Sequence, residues 1–506
     1  MNQKQTQKLK QSIVKILGIH RPFNYAEPYL IDEESQAGGT GFFVDPKVFG
    51  PNFPVKTDNL RFVLTNFHVV EELTSNKCIM KQPSLGNSAI SGEVIYVVPK
   101  LDVAIIKVDP FGEHDMWFDQ PNLPDFIENI PNLPLDTTNP VKGNSQRITA
   151  IGFPNLSGDY QICSGVVSGR GMGMIQLNIS FNGGNSGGPL FLKNKVIGIC
   201  TASISESEAL GLAVPIYQVI RFFQRWADYN NVILKTPTWG IMYKTTTPDY
   251  LRSKNIEGIQ GALVKKTVGS MPFKPKTIVM GIKSAGKAYN IDNYGLIKVD
   301  WTDKRVPFDN LEFIISLDPD DIRIQYFDSK RHPNKWTSTL KPKVFDFKAK
   351  KLYASWEKVD YMIVGGMVFM DLCFNHLEEE EDEDETICSL AGPQAVHLST
   401  FINANLAMKR AVVVTHINPQ SHVFNQKNLR PFDRIVKVNN KKVESVDDLR
   451  KILDRTNDFI TVQTQSDTHT YCMTSLKKQE MKDSIKLNYP VKKLSLIKKR
   501  KHLELS

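Results

Sequence analysis

Between residues 12 and 215 the chain is a succession of short β-branched and aromatic runs. "SIVKILG", "GGTGFFVD", "RFVLTNFHVV", "GEVIYVV", "VAIIKVD", "RITAIGF", "QICSGVVSG" and "KVIGICTAS" follow one another, separated by Gly, Pro and Asn turns. Runs this short, so closely punctuated, read as strands, and so many of them bury their apolar faces only as barrels or a sandwich. A Pro- and Asn-rich stretch at 110–143 breaks the rhythm and reads as a surface loop. "PIYQVIRFFQRWADYN" (215–230) then changes period. Ile216, Val219, Ile220, Phe223 and Trp226 fall on one face, so a helix closes the region.

The chain has 506 residues, more than one core organises, and about three or four units are expected. Residues 1–11 read as a tail and 12–235 as the β-rich domain. A second domain spans 236–345, a third 346–480, and 481–506 form a basic tail. Inside the third, "LEEEEDEDE" (377–385) reads as a solvated, disordered loop; an ordered Ca²⁺ site would interleave small residues and a turn glycine.

Charge and cysteine usage narrow the partners. The net charge of +9 is concentrated in "VKKLSLIKKRKHLELS" (491–506), a solvated tail, a nuclear-localisation signal or a weak nucleic-acid contact. Nucleic acid is the unfavoured partner, because no aromatic is interleaved with the basic run to stack on bases. Six cysteines without CxxC or other metal-ligand spacing read as reduced thiols, with no metal or cofactor expected. No apolar run reaches a membrane-spanning length, and the first residues lack a signal-peptide core. The expected location is intracellular, cytoplasmic or nuclear, with no membrane partner.

"FNGGNSGGPLF" (181–191) sets four glycines around Ser186. A plain hairpin turn needs one or two. A serine hydroxyl is a poor nucleophile unless a base takes its proton, and that base needs a third group to fix its tautomer. His68 in "LTNFHVV" ends an apolar strand, and Asp102 opens "LDVAIIKV". Singly they read as a core histidine, a strand-edge aspartate and a turn serine. Together, in the order His, Asp, Ser on all-β patterning, they form a candidate triad.

On these residues the chain resembles the trypsin-like serine proteases of the HtrA/Deg family. "TNFHVV", "DVAIIKV" and "GNSGGPL" are similar to that family's histidine, aspartate and nucleophile motifs, and "SGVVS" (164–168) and "GLAVPI" (211–216) to two further segments. The resemblance implies a mainly β chain with a double β-barrel and His68, Asp102 and Ser186 converging between the barrels. It implies an oxyanion hole from the N–H groups of Gly184 and Ser186, Gly187 and Gly188 leaving the nucleophile's flank open for substrate. It also places the floor of the primary specificity pocket near Ser180 and its wall at Cys200, Thr201 and Ala202. None of these is charged, so a small or medium apolar residue is expected before the scissile bond. Asn185 replaces the aspartate with which digestive relatives pair a newly cut N-terminus. "FNGGNS" lacks the family's commoner proline, and Asn178 stands where many members carry aspartate.

"LRPFDRIVKVNNKKVESVDDLRKIL" (429–453) is similar to the central stretch of PDZ domains, and "YMIVGGMVFMDL" (361–372) would supply a carboxylate-binding loop at Gly365, Gly366, Met367 and Val368. Such a loop serves β-augmentation, in which a peptide adds to a sheet edge. Residues 236–345, with "TWGIMYK" and "GIQGALVKK", look like a more divergent PDZ domain. The fold expectation is therefore a trypsin-like double β-barrel followed by two PDZ domains, as in plant-type Deg proteases. The function implied is an ATP-independent serine endopeptidase acting on unfolded or damaged proteins and peptides, assembled as a homo-oligomer (trimer or hexamer). The alternative is a catalytically silent PDZ scaffold or holdase.

Overall fold

In the computed structural model the described residues are 9–473, except 55–59, 87, 110–126, 139–140, 142–144, 172, 202–210, 257, 269–273, 301–304, 329–335, 338–341, 378–397, 399–400, 402–406, 454–458 and 467–468. The acidic run beyond Leu377, the basic tail and Ala202 lie outside them. The chain divides into two compact units, Met1–His20 with Ser35–Phe345, and Arg21–Glu34 with Asp346–Ser506.

In the first unit, β1 (Ile13–His20), β2 (Ser35–Val44), β3 (Phe62–Thr65), β4 (Lys77–Lys81), β5 (Ala89–Val98) and β6 (Val103–Asp109) close a barrel in the order β1-β2-β3-β6-β5-β4. A second barrel, in the order β10-β11-β12-β9-β8-β7, comprises β7 (Arg147–Gly152), β8 (Gln161–Gly171), β9 (Met174–Leu177), β10 (Pro189–Leu192), β11 (Lys195–Thr201) and β12 (Gly211–Pro215). Closure removes the exposed edges that short strands would otherwise present. Helix α1 (Ile216–Arg225) buries Ile216, Val219, Ile220, Phe222 and Phe223 in the same core as Phe42, Phe62, Ile151 and Phe191, so it packs across both barrels.

The stretch expected as a surface loop is not one where it is described. Ile127, Ile130 and Leu133 are buried, the Ser12 hydroxyl donates to the Pro131 carbonyl (2.5 Å), and Leu133 N–H donates to Phe43 (2.9 Å). Sparse apolar residues among prolines and asparagines hide this because their partners are distant in sequence.

Residues 236–345 form a sheet of β13 (Ile241–Lys244), β14 (Ala262–Thr267), β15 (Ile278–Ser284), β16 (Lys287–Asn290), β19 (Ile322–Phe327) and β20 (Trp336–Thr337), and a hairpin of β17 (Leu296–Lys298) with β18 (Arg305–Pro307). Two short helices, α2 (Pro248–Ser253) and α3 (Leu311–Ser316), accompany them. From α3, Glu312 accepts a hydrogen bond from the Tyr217 hydroxyl and lies 3.4 Å from Arg170, while Ile315 joins the barrel core. Burial raises the Glu312 carboxyl above its ordinary range.

The second unit holds β21 (Tyr361–Val364), β22 (Met367–Asp371), β23 (Val412–Ile417), α4 (His422–Gln426), β24 (Arg434–Val438), β25 (Lys441–Lys442), α5 (Val446–Leu453), β26 (Phe459–Thr464) and β27 (His469–Met473). Its sheet order is β21-β22-β23-β24-β26-β27, with β25 on β24. Segment Arg21–Glu34, which joins β1 to β2, belongs to this unit rather than to the barrel. The Tyr25 hydroxyl donates to Leu352 (2.8 Å), Glu27 pairs with His416 Nδ1 (2.7 Å), and Tyr29 packs on Val368.

Candidate active site

Asp102 caps a single 3-10 turn, Pro99–Leu101, and sits in the left-handed region at φ 52, ψ 52. Aspartate tolerates this better than most residues, and two bonds hold it there. Its N–H donates to Pro99 (3.0 Å), and its carbonyl accepts from Asn66 Nδ2 (2.8 Å). Its carboxylate takes three donors. His68 N–H reaches Oδ1 at 3.0 Å, Thr201 Oγ1 reaches Oδ2 at 2.8 Å, and His68 Nδ1 lies 3.0 and 2.9 Å from the two oxygens. A carboxylate only accepts, so the His68 proton sits on Nδ1 and Nε2 keeps a free lone pair. Such an imidazole can take a proton from a hydroxyl. Among the described hydrogen bonds none joins His68 to Ser186; the backbone places the serine.

That backbone is clamped by three fully buried polar residues, Thr40, Thr65 and Asn66. Thr40 N–H donates to Ser186 O (2.8 Å), and its hydroxyl donates to Gly184 O (2.6 Å) and accepts from Phe153 N–H (3.0 Å). Thr65 Oγ1 donates to Thr40 O (2.7 Å). Asn66 Oδ1 accepts from Gly187 N–H at 2.6 Å, so one amide ties the serine loop to the Asp102 turn. These groups are absent from the sequence reading. Thr40 in "GGTGF" and Asn66 in "TNFH" signal themselves only as polar residues inside strongly apolar runs.

The glycines have definite reasons. Gly184 has φ +90, and a Cβ there would lie 2.2 Å from the Phe153 carbonyl and 3.0 Å from Leu156 N. Asn155 N–H donates to Gly183 O (2.5 Å). Because a trans peptide sets C=O and N–H on opposite sides, the Gly184 N–H points away from Asn155. Neither the Gly184 nor the Ser186 N–H donates within the described hydrogen bonds. Gly187 and Gly188 differ from expectation. A Cβ at Gly187 would lie 2.0 Å from Thr40 O, and one at Gly188 2.5 Å from Ile151 O. Both glycines are buried against the barrels and leave no flank open; close backbone packing requires them.

The expected pocket residues separate. Ser180 is exposed on the loop before the serine. Cys200 is 1% exposed, its side chain in the core of the second barrel and its thiol pushed well above its ordinary range by burial. Its backbone bonds the serine loop, accepting from Gly187 N–H (2.9 Å) and donating to Gly188 O (2.8 Å). Thr201 faces Asp102 instead of a pocket. Asn178 Oδ1 accepts from Val166 N–H (2.7 Å), fixing the start of that loop on β8.

In the second unit Gly365 (φ 59) and Gly366 (φ 80) are the two central residues of a tight turn between β21 and β22, with Val364 opposite Met367. Both glycines at positive φ are what such a two-residue hairpin demands. Gly366 O accepts from Asn418 N–H (2.7 Å), Met367 and Val368 are fully buried, and β22 is paired on both edges, to β21 and β23. The expected peptide cradle at Gly365–Val368 is therefore corrected: no edge of β22 is left for an added strand. Arg450 of α5 holds the start of β21, bonding both Asp360 oxygens (2.6 and 2.7 Å) and the Tyr361 carbonyl (3.1 Å).

A trypsin-like peptidase domain profile matches residues 39–199, and a PDZ domain profile matches 352–494. The chain is a homologue of the Do-like (HtrA/Deg) proteases. It is 26% identical over 267 residues to an Arabidopsis thaliana protein named as mitochondrial protease Do-like 3, covering 50% of this chain and 42% of that one. It is 28% identical over 209 residues to a Synechocystis protein named as serine protease HhoB, covering 39% and 44%. It is 27% identical over 240 residues to a Pseudomonas putida protein named as a DegP-like periplasmic serine endoprotease, covering 44% and 44%. The chain spans about half the length of the curated relatives it matches. The solved HtrA-type protease AlgW with decapeptide aligns over 65% of this chain and 94% of its own, at TM-score 0.42 and 16% identity.

Proposed function

We propose that this Do-like homologue is a serine endopeptidase. The observation that carries the reading is the Asp102 carboxylate gripping His68 through Nδ1 while Asn66 ties the same turn to the loop of Ser186. Ser186 Oγ attacks the scissile carbonyl as its proton passes to His68 Nε2. The C–O bond forms, the C–N bond breaks, and the leaving amine takes the proton from His68. Water then hydrolyses the acyl-enzyme by the same route, and Asp102 stabilises the imidazolium at each stage. The N–H groups of Gly184 and Ser186 receive the oxyanion; one such donor contributes about 2.7–4 kcal/mol in comparable sites. Peptide hydrolysis in water is downhill, so the chemistry itself requires no nucleotide. The substrates are locally unfolded chains, since a cleft between barrels accepts extended backbone, with a small or medium apolar residue beside the uncharged Ser180. Assembly into trimers or hexamers follows the HtrA pattern. A fluorophosphonate probe tests the nucleophile: mass spectrometry finds the adduct on Ser186, and an adduct elsewhere, or none on folded protein, contradicts the assignment.

A further inference from the structure

Lys15 lies in β1, directly opposite Thr40 of β2 and beside Lys81 of β4. Directly opposed residues share one face of the sheet, and both side chains reach the same turn. Thr40 Oγ1 takes the Phe153 N–H, and the Lys15 ammonium donates to the carbonyls of Leu156 (3.1 Å) and Ser157 (3.1 Å). The turn is unusual. Asn155 (φ 50) and Leu156 (φ 54) are consecutive non-glycine residues in the left-handed region, one of them a leucine. Leucine has no short polar side chain to offset that conformation, so something outside the turn must hold it. This is also the turn whose Asn155 N–H pins Gly183 O and so aims the Gly184 N–H.

We propose that Lys15 is a positioning residue for the oxyanion site, which rests on the serine endopeptidase reading above. Its ammonium holds the Leu156 and Ser157 carbonyls, keeps the strained turn in place, and through Asn155 keeps the Gly183–Gly184 peptide oriented with its N–H toward the substrate. A charged donor at this point is costly to bury. Burial, with Lys81 nearby, lowers the Lys15 amine below its ordinary range. A lysine in a partly buried strand position is therefore explained by the two carbonyls it serves.

The test compares wild type with Lys15→Met, Lys15→Arg and the double variant Lys15→Met/Leu156→Gly. Loss of a charge-assisted donor to two carbonyls should lower kcat about tenfold to a hundredfold with KM within about threefold, because the group acts on the transition state. Affinity for a peptide boronate, which mimics the oxyanion, falls in proportion. Lys15→Arg keeps two donors and retains most of kcat. Leu156→Gly removes the penalty of positive φ and recovers part of the loss in the double variant. Exchange of the Asn155 amide, followed in a Ser186→Ala background, speeds up about tenfold in Lys15→Met. Equal kcat in wild type and Lys15→Met overturns the proposal while leaving the peptidase reading intact. If wild type cleaves nothing, that reading fails, and the Asn155 amide still decides the role of Lys15: unchanged exchange rejects it. If Lys15→Met does not fold, Lys15→Gln, with Leu156 kept, carries the same loss readouts, and unchanged kcat and Asn155 exchange in that variant reject the proposal equally.

Discussion

Replacing Gly184 by alanine probes the oxyanion loop at its tightest point. The new Cβ would lie 2.2 Å from the Phe153 carbonyl oxygen and 3.0 Å from Leu156 N, both backbone atoms that no rotamer change can move. The residue also has φ +90, where an L-residue pays about 1–2 kcal/mol. The cheapest escape is rotation of the Gly183–Gly184 peptide, which breaks the 2.5 Å bond from Asn155 N–H to Gly183 O and turns the Gly184 N–H out of the site. Losing that donor corresponds to about 2.7–4 kcal/mol of transition-state stabilisation, or about 10²–10³ in kcat, with little change in KM. Gly183→Ala is the internal comparison, since a Cβ there meets nothing within 4 Å and the variant should keep near-full activity. Steady-state hydrolysis of a chromogenic peptide by both variants gives the answer. If Gly184→Ala holds kcat within threefold, or if Gly183→Ala falls as far, the loop geometry is not what organises the oxyanion site.

Three further outcomes follow from the same structure. Thr201→Val preserves shape but removes the 2.8 Å donor to Asp102, and kcat should drop about tenfold or more at unchanged KM; no drop in a peptide-hydrolysis assay would mean Thr201 is a passive neighbour. Burial lowers the His376 imidazole to about 4, so below its ordinary 6.5 the unfolded chain takes up a proton that the folded chain refuses. The second unit is then fully stabilised by this group above pH 6.5 and loses that stability as pH falls toward 4, by about 3 kcal/mol in total. Exchange protection of its amides, corrected for intrinsic rates, should fall across that window and stay flat if the histidine does not matter. Finally, wild type should bind no free C-terminal peptide along β22, whereas Arg450→Ala, which releases Asp360 and the Tyr361 carbonyl, should expose the edge. Anisotropy titration showing wild-type binding that Val368→Asp abolishes would contradict this.

Much of this architecture was legible because it is written locally. Alternation in "GEVIYVV" and "RITAIGF" gives strands whatever their neighbours, and the apolar face of 216–225 gives a helix. His68, Asp102 and Ser186 stood out because each is a reactive residue set in an apolar or glycine-rich run. The props were not legible, since Thr40, Asn66 and Lys15 acquire their partners only from register across barrels that closure creates. Segment Arg21–Glu34 carries no periodicity of its own; only Glu27, Tyr25 and Tyr29 finding His416, Leu352 and Val368 places it in the second unit. "VGGM" was ambiguous in principle, because a carboxylate cradle and a tight hairpin both call for glycines at positive φ. Gly187 was misread for a related reason: absence of a side chain serves close packing as well as open access.

The most direct test of the central claim is cleavage of denatured casein by the purified chain beside its Ser186→Ala variant, with folding of both verified by circular dichroism. The account predicts proteolysis without added nucleotide by the wild type and none by the variant. Persistent cleavage by Ser186→Ala, or none by a folded wild type that also fails to react with a fluorophosphonate, would contradict it.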